Sequence, residues 1–136
     1  MKELTIDATV ENIDDVTDFI NAELEAIDCP MKAQIQFDVA IDEMFGNIAH
    51  YAYGSEVGSA TVRFDYDEAS RTASITFIDS GIPFDPLKQS EPDVTLSAQE
   101  RKIGGLGIFL VKKSMDSMEY KYLDGKNILT IKKKLS

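Results

Sequence analysis

The stretch "DEMFGNIAHYAYG", Asp42 to Gly54, lies inside a segment that otherwise reads as a buried helix, yet it holds acidic residues, an amide, glycine and the chain's single histidine. At about 100° per residue, Phe37, Ile41, Met44, Ile48 and Tyr51 share one face, the core stripe of a helix over roughly Met31 to Tyr53. Glu43, Asn47 and His50 stand at i, i+4 and i+7 and form a second, narrow stripe, roughly a quarter to a third of a turn away. That is the edge of the buried face, where a cleft would open. Gly46 beside it costs about 1 kcal/mol relative to alanine in a helix interior, so close backbone approach is expected there. Polar residues at helix edges are common, and alone this stripe fits an ordinary rim as well as a cleft wall.

Outward from this helix, "KELTIDA" alternates as a first strand. Asn12 or Glu11 then opens a helix over "IDDVTDFINAELEAID", with Val16, Phe19, Ile20, Leu24 and Ile27 at helical spacing. Pro30 fits the first turn of the second helix, and Gly54 and Gly58 close it. "SATVRFDYD" and "TASITFIDS" predict a hairpin around "DEAS". From Ser80 to Ile103 no periodicity persists, and a loop of that length in a compact domain is usually functional. "GGLGIFLVKKSMDSM" predicts a third helix, and "EYKYL" and "NILTIKKKL" around "DGK" a closing hairpin. The order β-α-α-β-β-loop-α-β-β predicts an α+β fold, a two-layer α/β sandwich whose mixed, mostly antiparallel sheet is covered on one face by helices. The 136 residues fit one domain. The closing "KKK" reads as a charged edge strand, and Met115 and Met118 as core or rim residues.

With 24 acidic against 14 basic residues the formal charge is -10, which repels a phosphate backbone and argues against direct nucleic-acid binding. An anionic ligand would need a metal ion or a local basic cluster. One cysteine and one histidine exclude an internal disulfide and a zinc-type cluster. No apolar run approaches the roughly 18 residues of a membrane span, and no signal-peptide core is evident, so the expectation is a cytoplasmic protein with no membrane association.

Two further stretches give the polar stripe company. In "ITFIDSGIPFDP", Asp79 ends an apolar strand, where its carboxylate could accept a hydrogen bond from an exocyclic amine such as adenine's, and Gly81 could let a flat ring approach. The competing meaning of Asp-Ser-Gly is a tight turn in which Asp79 bonds its own backbone. "KIGGLGIFLVKK" opens directly into a helix whose first N–H groups could cradle phosphates, with Arg101 and Lys102 just before it; a flexible helix start is the alternative. It is neither a Walker A loop nor a dinucleotide fingerprint.

Together, "ExxxNIxHYAYG", "DSGIPFDP" and "GGLGIFLV", in this order and at these separations, resemble the N, G1 and G2 boxes of the GHKL ATPase superfamily and its Bergerat sandwich. Within it the chain is most similar to the anti-sigma-factor serine-protein kinases. The resemblance implies ATP and Mg²⁺ as cofactors, with Asn47 on the metal, Glu43 as catalytic base and His50 near the phosphates. It implies Asp79 and Gly81 at the adenine, and Gly104, Gly105, Leu106 and Gly107 at the phosphates, under a lid over about 86–103. It further implies a STAS-type anti-anti-sigma protein as phosphorylation substrate, a sigma factor or analogous regulator as the sequestered partner, and a homodimer. The position of Asn127 departs from the threonine common in relatives. The rival reading is a binding module in which nucleotide switches partner affinity without phosphotransfer.

Overall fold

The computed structural model describes residues 1–88 and 105–135. Strand β1 (Lys2–Asp7) leads through a short turn into α1 (Ile13–Ala26), followed by α2 (Met31–Asn47). After α2 come β2 (Ser59–Asp67), β3 (Thr72–Asp79), α3 (Gly105–Ser114), β4 (Ser117–Leu123) and β5 (Lys126–Lys134). The sheet runs β1-β2-β3-β5-β4, and every pairing is antiparallel. One face is covered by the helices, giving the expected two-layer α+β sandwich.

The covered face follows from alternation. Along β3, Ala73, Ile75, Phe77 and Asp79 are buried while the intervening residues are partly exposed, the period-2 pattern of a sheet with one packed face. Val62, Phe64 and Ile131 fill neighbouring positions of the same layer. From the helices, Val16, Ile20 and Leu24 of α1 and Phe37, Ile41 and Phe45 of α2 are fully buried against them. Helix α2 is the middle of this layer, packed between α1 and α3.

Several boundaries differ from the sequence reading, each for a local reason. Pro30 stands just before α2 with an extended ψ of 143°, and its carbonyl accepts the Gln34 N–H at 3.0 Å. Helix α2 does not run on regularly to Tyr53: Ile48–Ala52 forms a π-helical turn. That turn, wider than the α-helix, shifts the angular phase of everything after Asn47, so Tyr51 leaves the core stripe and is 50% exposed. Helix α3 stops at Ser114 instead of continuing to Met118, because the Lys133 ammonium donates to the Ser114 carbonyl at 2.7 Å and Asp116 N–H joins Lys132 O at 2.9 Å. The "KKK" run ends an interior strand, since β5 lies between β3 and β4. Met115 is buried and Met118 partly so, as expected of core or rim residues. Gly46 is buried, but nothing among the described residues lies within 4 Å of where its Cβ would be, so the expected close approach is not found there.

Phe37 sits on the buried face of the middle helix, so its truncation opens a cavity in the main packing layer. Phe37→Ala is expected to lower the unfolding free energy by about 3–5 kcal/mol, measured as a shift in the urea midpoint at unchanged slope.

Candidate functional site

The last residue of β3, Asp79, is paired in register with Ala60 on one side and Asn127 of β5 on the other. Asp79 is 7% exposed and Asn127 6%, the two buried polar residues among those described. They stand in the wall of a cleft of about 470 Å³, continuous with solvent, between the end of α2 and the sheet. Met44, Phe77, Ile82 and Leu129 give it apolar walls, while Asn47 and Tyr120 add polar groups and Tyr51 and Phe84 stand as exposed aromatics in its lining.

A carboxylate this buried needs donors, or its desolvation would count against the fold. Two are present, both on Oδ1: Asn127 Nδ2 at 2.9 Å and Gly81 N at 2.9 Å. The second is the tight turn that Asp-Ser-Gly suggests. Among the described residues no donor meets Oδ2, so one acceptor of a cleft-lining carboxylate is left for a ligand. Gly81 has a packing role in this turn. A Cβ on it would collide with the Ala52 carbonyl, so the glycine lets the 80–84 loop pack against the exit of α2. There Ile82 N donates to Ala52 O at 2.9 Å.

Of the predicted stripe, α2 brings Asn47 into the cleft wall. Its amide nitrogen is buried and without a hydrogen-bond partner among the described residues. Glu43 lies one turn earlier, outside the cleft lining, with its carboxylate against Gly107 near the start of α3. A Cβ on Gly107 would fall inside that carboxylate, so glycine is required for the approach. Burial pushes the Glu43 carboxyl above the ordinary carboxylate range, and the charge of Asp42 raises it further. His50 does not join them: the π-turn leaves it exposed, its ring inclined to Tyr51 with centroids 5.9 Å apart. Gly105 and Leu106 fall in the first turn of α3. Arg101, Lys102, Gly104 and most of the expected lid lie outside the described residues. The lid's first part, Pro86–Lys88, is a short 3₁₀ turn whose Leu87 carbonyl accepts from Lys112 at 2.9 Å. Among the described residues no group of three acidic, histidine or cysteine side chains could hold a metal by itself, and no helix is long and apolar enough to cross a membrane.

Two residues outside the predicted site set shape the site. Asn127 holds Asp79 and also touches the Ile82 carbonyl, the Phe84 N–H and the Tyr120 hydroxyl. Tyr53 donates its hydroxyl to Ser59 O at 2.5 Å and accepts the Ser80 N–H at 2.9 Å, tying the exit of α2 to β2 and to the Asp79 turn. The alternation of "NILTI" does mark Asn127 as inward-facing, and a polar residue at an inward position is the one available signal for it.

Fold and cleft together define a class: an α/β sandwich whose cleft, between its middle helix and antiparallel sheet, carries a buried acid and a partnerless amide. The chain belongs to the histidine kinase-like ATPase domain family, whose model matches residues 6–133. Among curated proteins, the serine/threonine-protein kinase BtrW of Bordetella bronchiseptica is 27% identical over 101 residues, 73% of this chain and 70% of that protein. The serine-protein kinase RsbW of Bacillus cereus is 29% identical over 98 residues, 69% of this chain and 60% of its own length. RsbW of Listeria monocytogenes is 29% identical over 99 residues, covering 69% and 62%. The chain thus spans about three fifths of the length of the RsbW relatives it matches.

The raised Glu43 carboxyl has a consequence for stability. A carboxyl whose folded pKa lies above its unfolded value stabilises the fold below the unfolded pKa, and that contribution is lost as pH rises through the folded pKa. Glu43→Gln, which removes the charge, is therefore expected to melt at a higher temperature than the parent at pH 8, with the gap closing on acidification toward pH 4. A calorimetric pH series measures it.

Proposed function

We propose that this chain is an ATP-dependent protein-serine kinase that phosphorylates a STAS-type anti-anti-sigma protein and, in the same regulatory circuit, sequesters a sigma factor or analogous regulator. The single observation that carries the nucleotide reading is the pairing, in one cleft, of Asp79's unmet carboxylate oxygen with Asn47's partnerless amide. Membership of an ATPase domain family and relatives named as serine-protein kinases support it.

The residues fit Mg-ATP. An amide offers a donor and an acceptor, so a phosphate oxygen can meet the Asn47 nitrogen and a divalent cation its oxygen. With no acidic cage among the described residues, such an ion would depend on the phosphates for most of its shell. Mg²⁺ would supply neutralisation of phosphate charge, which a chain of net charge -10 otherwise lacks. Asp79 accepts from the adenine amine, and Met44 and Phe77 supply flat apolar contact for the ring. The first N–H groups of α3, at Gly105 to Gly107, would offer the positive end of a helix to the phosphates, and the resemblance implies Gly104 beside them. Arg101 and Lys102 would add positive charge, and the segment over about 86–103 would close over the nucleotide.

Glu43 then takes the hydroxyl proton of the substrate serine as its Oγ attacks the γ-phosphorus, the bond to the bridging oxygen breaks, and ADP leaves. Gly107 keeps the carboxylate at the start of α3, and burial raises its basicity. His50, which the resemblance implies near the phosphates, lies exposed beside Tyr51. The protein substrate would dock at the open side of this cleft, and two copies of the chain would form the working unit, as the family resemblance implies.

The test is phosphotransfer from labelled ATP with Mg²⁺ to a STAS-domain protein encoded beside this chain. Glu43→Ala is expected to keep ATP affinity within about threefold while phosphoserine formation falls at least 100-fold, the scale of a lost general base. Asn47→Ala is expected to weaken Mg-ATP binding itself, measured by calorimetry. Because Glu43 must be ionised to act, kcat should decline on acidification at a pH above the ordinary carboxylate range. Tight ATP binding without phosphoserine would instead identify a nucleotide-switched binding module.

A further inference from the structure

Asn127 has all its hydrogen-bonding capacity engaged by the chain itself. Its Nδ2 donates to Asp79 Oδ1 and to the Ile82 carbonyl, each at 2.9 Å. Its Oδ1 accepts the Phe84 N–H at 3.0 Å and the Tyr120 hydroxyl. A side-chain amide has two N–H bonds and two lone pairs, so nothing remains for a ligand. The orientation of the amide is also fixed. Turning it over would set its oxygen against two acceptors, Asp79 Oδ1 and Ile82 O, and its NH₂ against the Phe84 N–H.

The consequence falls on Asp79. With Oδ1 held from β5 by Asn127 and from its own turn by Gly81, rotation of the carboxylate would break two bonds, and Oδ2 is the oxygen left to accept from a ligand. The same amide grips the 80–84 loop at Ile82 and Phe84, both cleft-lining residues, while Ala52 O and Tyr53 OH hold that loop from the helix side. Tyr120 reaches this network from the edge strand β4 and lines the cleft too.

We propose that Asn127, locked by Tyr120, is the positioning residue of the base pocket: it presents one oxygen of Asp79 to an exocyclic amine and thereby sets selection for an amino-bearing purine. This rests on the nucleotide reading above. Asn127 does not touch the base and acts through Asp79, so its loss should remove discrimination before it removes binding.

The experiment compares the dissociation constants of ATP and purine riboside triphosphate, which lacks the 6-amino group, for the whole chain and its variants. The parent is expected to prefer ATP by about tenfold or more, the scale of one hydrogen bond to a charged group. Asp79→Ala should abolish that preference. Asn127→Asp keeps the shape but sets a carboxylate against Asp79, and should cut the preference at least threefold with little change for the des-amino analogue. Tyr120→Phe, a milder change that keeps the ring, should move the ratio the same way by a smaller factor. Failure of the parent to bind either nucleotide would overturn the nucleotide reading, and with it this one. If the parent selects ATP and Asp79→Ala loses it, but Asn127→Asp keeps the full ratio or weakens both nucleotides equally, the positioning role is wrong while the nucleotide reading stands.

Discussion

The hydrogen bond between Asn127 and Asp79, buried where β5 and β3 run side by side, is the constraint around which the rest of the cleft is arranged. A carboxylate inside an apolar layer is tolerable only with donors in place. Once they are supplied, the group becomes a fixed acceptor in a mostly apolar wall, where a hydrogen bond to a ligand counts for more than in water. The two donors come from different levels of structure. Gly81 is local, two residues along the chain, whereas Asn127 arrives through the antiparallel register of the sheet.

The opposite wall meets a different conflict. Helix α2 must bury Phe37, Ile41, Met44 and Phe45 in the core and still carry Asn47 to the cleft and Glu43 to the start of α3. Two stripes on one helix can do both while its period stays regular, and the π-turn after Asn47 marks where that regularity ends. The turn also brings the Ala52 carbonyl and the Tyr53 hydroxyl to the Asp79 loop, so the helix exit and the sheet hold that loop from two sides. Gly107 then lets α3 come up to the Glu43 carboxylate.

Much of this was legible in the sequence because it is periodic or local. Helical spacing predicted the α2 core positions through Ile48, strand alternation marked β2, β3 and β5, and the end of β3 at Asp79 followed from its apolar run. What escaped is long-range or aperiodic. The partner of Asp79 lies 48 residues away, and only strand register brings it there. A π-turn has no hydrophobic signature of its own, so His50 and Tyr51 were assigned one phase too far. The lysines at the end of β5 looked like an edge because order along the chain does not give order in the sheet, where β5 inserts between β3 and β4.

The proposed function has a nucleotide held at two ends, its base by Asp79 and its phosphates by Asn47 and the start of α3. The most direct test is a crystal structure of the chain with Mg²⁺ and a non-hydrolysable ATP analogue. The account predicts the adenine amine within about 3 Å of Asp79 Oδ2 and the metal on the Asn47 amide oxygen, with Asn127 unmoved. A nucleotide whose base lies away from Asp79, or whose metal is held without Asn47, would contradict it.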